Sequence, residues 1–197
     1  MEPTLAGISS LLFQIAMGIG LAACAGLRAF LPLFVVGLAG RFDVVPLTAT
    51  FEWLGSTPAL VVFGVAVVAE ILADKIPVVD HFLDVAQSVV KPIAGTVLAA
   101  SVLTELTPLQ AAVLGLITGG AVSGVIHVTK AKVRLASTAT TAGLGNPVIS
   151  ALEDIGAFFG SLVAIWLPLL LLLLLVAATI LTWTLLRRIR RRSDFRA

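Results

Sequence analysis

The chain has 197 residues, of which 59% are hydrophobic and only 12% charged, and its mean hydropathy is +1.10. A water-soluble domain carries about 25% charged residues, so this composition excludes one and leaves an integral membrane protein. The formal charge of +2 says little by itself, because six of the thirteen Lys and Arg stand in the last stretch, RRIRRRSDFR; no nucleic-acid partner is expected.

The apolar runs are continuous rather than alternating, which argues against a transmembrane β-barrel. At about 20 residues per span, the length predicts an all-α compact bundle of about five or six transmembrane helices. The helical domain covers residues 1–186, and 187–197 form a basic tail. The N-terminus has no basic region, so no cleavable signal peptide is expected. Cys24 is the only cysteine, which excludes an intramolecular disulfide and suits a small buried hydrophobe.

The first span is predicted over 8–27. Gly18, Ala22 and Gly26 form a smooth ridge there, suited to close helix packing, with a substrate path along the ridge as the alternative. Arg28 follows, then AFLPLFVVGLAG. Twelve residues at 1.5 Å each cannot cross a core of about 30 Å, so 29–40 is either a half-helix or the end of a long helix kinked at Pro32. Arg28 either pairs with a carboxylate from 70–84 or snorkels to the interface. Residues 41–57 form a polar connection with Trp53 as an interfacial anchor.

A second span over 58–73 delivers Glu70 into EILADKIPVVDHFLD, the charged centre of the sequence. Glu70 and Asp74 lie four apart and share a helix face; Asp80 and Asp84 repeat the spacing after Pro77. Intramembrane carboxylates are costly unless paired or hydrated, which makes Glu70, Asp74, Lys75, Asp80 and Asp84 candidate substrate- or ion-binding residues. His81 with Asp80 and Asp84 could share a divalent metal, or form a solvated interfacial cluster. Residues 78–90 read as an amphipathic helix ended by Lys91 and Pro92, with a short apolar segment over 93–105.

A full span follows Pro108, with overlapping pairs Gly115/Gly119 and Gly120/Gly124 for close contact. His127 ends its apolar part and is a candidate proton-relay residue, or a satisfied histidine. Lys130, Lys132 and Arg134 come next. The Ser-, Thr-, Ala- and Gly-rich run over 135–146 is either a re-entrant loop lining a cavity or an extramembrane loop. Asn146 and Pro147 close it and restart a helix carrying Glu153 and Asp154. The strongest apolar run, over 158–186, has Pro168 as a kink site and Trp183 near the interface. The tail predicts a cytoplasmic C-terminus and can bind anionic lipid head groups. With the N-terminus outside, the crossings are odd in number, five being the expectation.

PVVDHFLDVA (77–86) and PVISALEDIG (147–156) echo each other and place Asp84 and Asp154 alike. Transporters are often built from two such repeats, so two internal repeats are an expectation. No nucleotide-binding, metalloprotease, hydrolase or CxxC pattern is present. No catalytic activity and no cofactor are expected, and no metal is assigned.

Three segments together, GLRAFLPLF, E-x-x-A-D-K-I-P-x-x-D and STATTAGLGNPVISALEDI, resemble a bacterial membrane family catalogued as domain of unknown function 4126. The resemblance covers nearly the whole chain. It implies a multi-span protein of the bacterial inner membrane and names no substrate. The matching segments carry Arg28, Glu70, Asp74, Lys75, Pro77, Asp80, Asn146, Pro147, Glu153 and Asp154. One departure is an extra Thr in TATTAGLGN. The functional expectation is a small transporter or channel-like protein, assembled as a homodimer among membrane lipids. Its cluster would handle protons, a cation or a small polar solute. The alternative is a non-transporting scaffold whose buried charges are structural.

Overall fold

The structure is a computed structural model. It describes the backbone of residues 5–74 and 77–194 and the side chains of 7–74 and 85–184. Lys75 and the side chains of Asp80, His81 and Asp84 lie outside the described residues, and with them the metal reading and one half of the internal echo. The described chain is all helix: α1 Leu5–Leu27, α2 Phe30–Arg41, a 3-10 helix Ala49–Gly55, α3 Thr57–Ala73, α4 Pro77–Ser101, α5 Pro108–Leu114, a π-helical turn Gly115–Gly120, α6 Ala121–Thr141, α7 Asn146–Trp166 and α8 Pro168–Asp194.

α1 is the axis of an integral membrane bundle. α4 runs antiparallel to it, since Ser10 donates to Glu105, Gln14 donates to Thr104, and Gly18 abuts Ala99. α7 is also antiparallel, with Leu27, Cys24 and Gly20 meeting Gly156, Gly160 and Ala164 in turn. α6 runs antiparallel to α4, through Gly95 on Gly119 and the Lys91 carbonyl on Ser123. The small-residue ridges serve helix packing. A Cβ on Gly95 would come within 2.6 Å of the Gly119 carbonyl, and one on Gly26 within 2.7 Å of the Ser123 carbonyl. Closely approaching backbones leave no path along either ridge.

The chain breaks after α1, so 29–40 is a half-helix rather than a continuation. α2 turns back, and its far end lies against the 3-10 helix. There Arg41 donates to Thr57 and the Gly55 carbonyl, and the Thr48 amide donates to the Ser101 carbonyl. α3 then returns to the break and carries Glu70 to it. Among the described residues, three helical stretches are long and apolar enough to cross a membrane alone: Gly7–Leu27, Pro108–Thr141 and Asn146–Trp166. The bent pair Ala49–Gly55 and Thr57–Ala73 makes a fourth if taken as one span; Phe30–Arg41, Val85–Ser101 and Pro168–Thr184 are shorter apolar helices.

Three sequence expectations need correction. Lys91 and Pro92 do not end a helix, and 93–105 is not a separate segment, because α4 passes through Pro92 to Ser101. Proline inside a membrane helix is tolerated where neighbours bond the disturbed backbone, and the Ser123 hydroxyl donates to the Lys91 carbonyl at 2.7 Å. The 135–146 run is neither a re-entrant nor a long loop, because α6 stays helical to Thr141. The hydroxyls of Thr138, Thr140 and Thr141 donate back to the carbonyls of Arg134, Ala136 and Ser137, which satisfies them inside the helix. Only 142–145 turn, with Ala142 and Gly143 at positive φ. The long apolar run past 158 is two helices, not one kinked span. Leu167 precedes a proline and is pushed to φ −136°, ψ 56°. Ala164 and Leu171 both crowd Gly20, whereas a straight helix would separate them by about 10 Å. The chain therefore turns at Leu167, and α8 lies beside α1.

Candidate functional site

The site grows out of the break between α1 and α2. A broken helix leaves backbone carbonyls at one end and N–H groups at the other without partners, and lipid supplies none. Glu70 serves the N–H end. Its carboxylate accepts from the amides of Ala29 at 3.1 Å and Phe30 at 3.4 Å, and from Gln87 Nε2 at 3.0 Å. Lys130 serves the carbonyl end, its Nζ donating to the Leu27 carbonyl at 3.3 Å. The anion thus faces the positive end of α2 and the cation the negative end of α1, the sense the helix dipoles favour.

Arg28 stands in the break and is only 1% exposed. Its Nη1 lies 2.5 Å from Asp74 and its Nε 2.6 Å from Asp154, while Nη2 donates to the Ser150 hydroxyl at 2.7 Å and the Ser150 carbonyl at 3.4 Å. The Ser150 hydroxyl in turn donates to Asp74 at 3.3 Å. Arg134 approaches the same Asp74 oxygen at 3.8 Å. The guanidinium fork is the group that can hold two carboxylates at once, and it ties α3 and α7 to the end of α1. The pairing of Arg28 with the 70–84 stretch holds, and the snorkelling alternative falls.

Lys130 Nζ also pairs with Glu153 at 2.9 Å. Lys91 completes the group from α4. It is fully buried, Lys130, Glu70 and Glu153 are neighbours of it, and among the described residues its Nζ has no hydrogen-bond partner of good geometry. Among the described residues, four basic side chains (Arg28, Lys91, Lys130, Arg134) therefore face four carboxyl groups (Glu70, Asp74, Glu153, Asp154), and of these only Asp154, with its side chain 25% exposed, is not deeply buried.

Of the residues expected from sequence, Arg28, Glu70, Asp74, Glu153 and Asp154 come together. His127 is buried on α6, one turn before Lys130. Asn146 does not join the cluster. Its Nδ2 donates to the Thr138 hydroxyl at 3.0 Å and fastens the turn between α6 and α7, where a polar residue at a helix start finds a local partner. Lys91, Gln87, Ser150, Lys130 and Arg134 were missed as site residues. The signal for Lys91 was a lone lysine in an otherwise apolar run, hidden by taking Pro92 as a helix end. Among the described residues, no group of three His, Cys, Asp or Glu side chains is arranged to hold a metal ion.

Residues 15–188 match the family model described as Domain of unknown function (DUF4126). The chain belongs to this family. No curated protein and no solved structure is detectably similar to it. In this DUF4126 chain the matched region takes in the whole charge cluster and both sides of the helix break.

Proposed function

We propose that this DUF4126 protein is a small transporter or channel-like protein of the bacterial inner membrane, in which the buried cluster handles protons, a cation or a small polar solute. The observation that carries this reading is the burial of the Lys91 amine among Glu70, Glu153 and Lys130 at a broken helix. Discontinuous helices whose ends face charged groups are the usual architecture of transporter sites, and intramembrane ionisable groups are seldom idle. Lys130, Lys132, Arg134 and the arginine-rich tail support a cytoplasmic placement of the C-terminus by the positive-inside rule. Five crossings with α2 and α3 as a packed hairpin fit that orientation.

The test is flux of protons, alkali cations and small polar solutes into proteoliposomes. Glu70→Gln and Asp74→Asn are expected to change any flux the native protein supports; unchanged flux in both sinks the assigned roles. A second reading, a non-transporting scaffold, draws on the saturation of Arg28, whose three nitrogens all meet partners. Under it, the same substitutions lower stability and abundance alone. Cysteines introduced along 70–84 in a Cys24→Ser background separate the two, because only a transport path admits a polar thiol reagent to them.

A further inference from the structure

α1, α6 and α8 enclose a cleft away from the charge cluster. Its floor is Ile19 and Ala23, one wall is Val122, Val125 and Ile126, and the other runs along 172–180 of α8. The volume is about 420 Å³, inside the range of about 300–1,000 Å³ for ligand pockets. The lining is apolar apart from Thr179, whose hydroxyl donates to the Leu175 carbonyl, so a polar solute gains little there. At 1.5 Å per residue the α8 wall is about 12 Å long, close to the roughly 15 Å of hydrocarbon in one leaflet. A wall of that length and chemistry matches an acyl chain.

Charge at the mouth narrows the choice of lipid. Lys132 follows Val125 by two helical turns and stands on the same face of α6; it is exposed. Unlike Lys130 and Arg134 on the same helix, which are buried with acid partners, Lys132 is turned outward. On α8, helical spacing carries the cleft-lining positions Val176 and Ile180 on to Trp183, and the arginine-rich tail follows in the sequence. Tryptophan and basic residues at that level mark a head-group zone.

We propose that this cleft is a specific site for one anionic phospholipid, with an acyl chain between α6 and α8 and the phosphate at Lys132. The site does not depend on the transport reading.

The test uses purified full-length protein in detergent, titrated with phosphatidylglycerol or phosphatidylcholine of the same chains and read by native mass spectrometry and thermal unfolding. One phosphatidylglycerol per chain is expected to persist and to raise the Tm more than phosphatidylcholine does. Lys132→Gln should lower the preference for the anionic lipid about fivefold, the weight of one basic residue near a charged surface. Val125→Trp, at an exposed position where folding is not at stake, should fill the cleft and abolish retention. Leu109→Trp, exposed in a separate depression on α5, should leave it intact. Equal retention of the two lipids overturns the proposal, as does retention unmoved by Val125→Trp. So does a fall in oligomer mass with that variant, which would mean that a second copy of the chain covers the cleft.

Discussion

Glu70 gives the sharpest test of the helix-break architecture. Glu70→Ala removes the acceptor for three donors, the buried Ala29 amide and Gln87 Nε2 and the partly buried Phe30 amide. Hydrogen bonds between membrane helices average about 0.6 kcal/mol, and bonds to a charged group in a protein interior reach about 1.5–3 kcal/mol. Three such bonds, with two left as unpaired backbone N–H groups, give a loss of about 2–9 kcal/mol. Glu70→Gln keeps the shape and one acceptor oxygen, which can still take Ala29 and Gln87. Its NH2 would instead face the Phe30 amide, donor against donor, and the Lys91 amine would lose an acidic neighbour. A loss of about 2 kcal/mol is expected. Adding Lys91→Met to Glu70→Gln should recover part of it, because a buried charge without its partner costs more than neither charge. The assay is reversible unfolding in mixed micelles, followed by the fluorescence of Trp53, Trp166 and Trp183, with the native protein, Glu70→Gln, Lys91→Met and the double variant forming a double-mutant cycle. If Glu70→Ala lies within about 0.5 kcal/mol of the native protein, the carboxylate is not capping α2, and the account of the break is wrong.

Two further substitutions test the packing around that centre. Arg28→Lys keeps the charge but offers a single nitrogen to Asp74, Asp154 and Ser150, which three different nitrogens of Arg28 now meet; a loss of about 3 kcal/mol is expected in the same unfolding assay, and a neutral result would mean that the fork geometry carries no stability. Gly95→Ala places a Cβ 2.5 Å from the Ser123 Cβ, whereas one on Gly124 meets nothing closer than Pro92 at 3.7 Å. Gly95→Ala should therefore cost about 1–3 kcal/mol by overpacking, and Gly124→Ala should be neutral or slightly stabilising.

Much of this arrangement was written in local chemistry. An arginine between two apolar segments, the second too short to cross, marks the break at Arg28. The spacing of Glu70 and Asp74 brings both to that end of α3. Asn146 and Pro147 mark the start of α7. The rest depended on partners distant in sequence. Pro92 reads as a terminator because its effect on a helix is known locally, while the Ser123 hydroxyl that steadies the Lys91 carbonyl comes from another helix. The 135–141 run reads as a loop because Ser and Thr are weak helix formers in water. In α6 their hydroxyls turn back onto the helix's own carbonyls. Lys91 was invisible as a site residue for the same reason as Pro92: its neighbours Glu70, Lys130 and Glu153 arrive on three other helices.

Among the described residues, the cluster divides into two groups with different freedom. Arg28 and Arg134 face Asp74 and Asp154, and there the guanidinium of Arg28 bridges both acids while the Ser150 hydroxyl joins it to Asp74. Moving Arg28 or Asp74 breaks several bonds at once, so the group suits a fixed joint between α1, α3 and α7. Glu70, Glu153, Lys91 and Lys130 form the second group. Glu70 and Lys130 serve the ends of the broken helix, and the Lys91 amine is buried beside them with no hydrogen bond of good geometry among the described residues. Buried charges resist removal unless something replaces their partners, and an entering ion or proton is such a replacement. A cation reaching Glu70 would compete with Lys91 for the same carboxylate, and releasing Glu70 would uncap α2. Occupancy and the geometry of the half-helix would then be coupled through one side chain. That coupling is why Glu70→Gln is expected to disturb flux and stability together, whereas Gly95→Ala should lower stability and leave any ion selectivity unchanged.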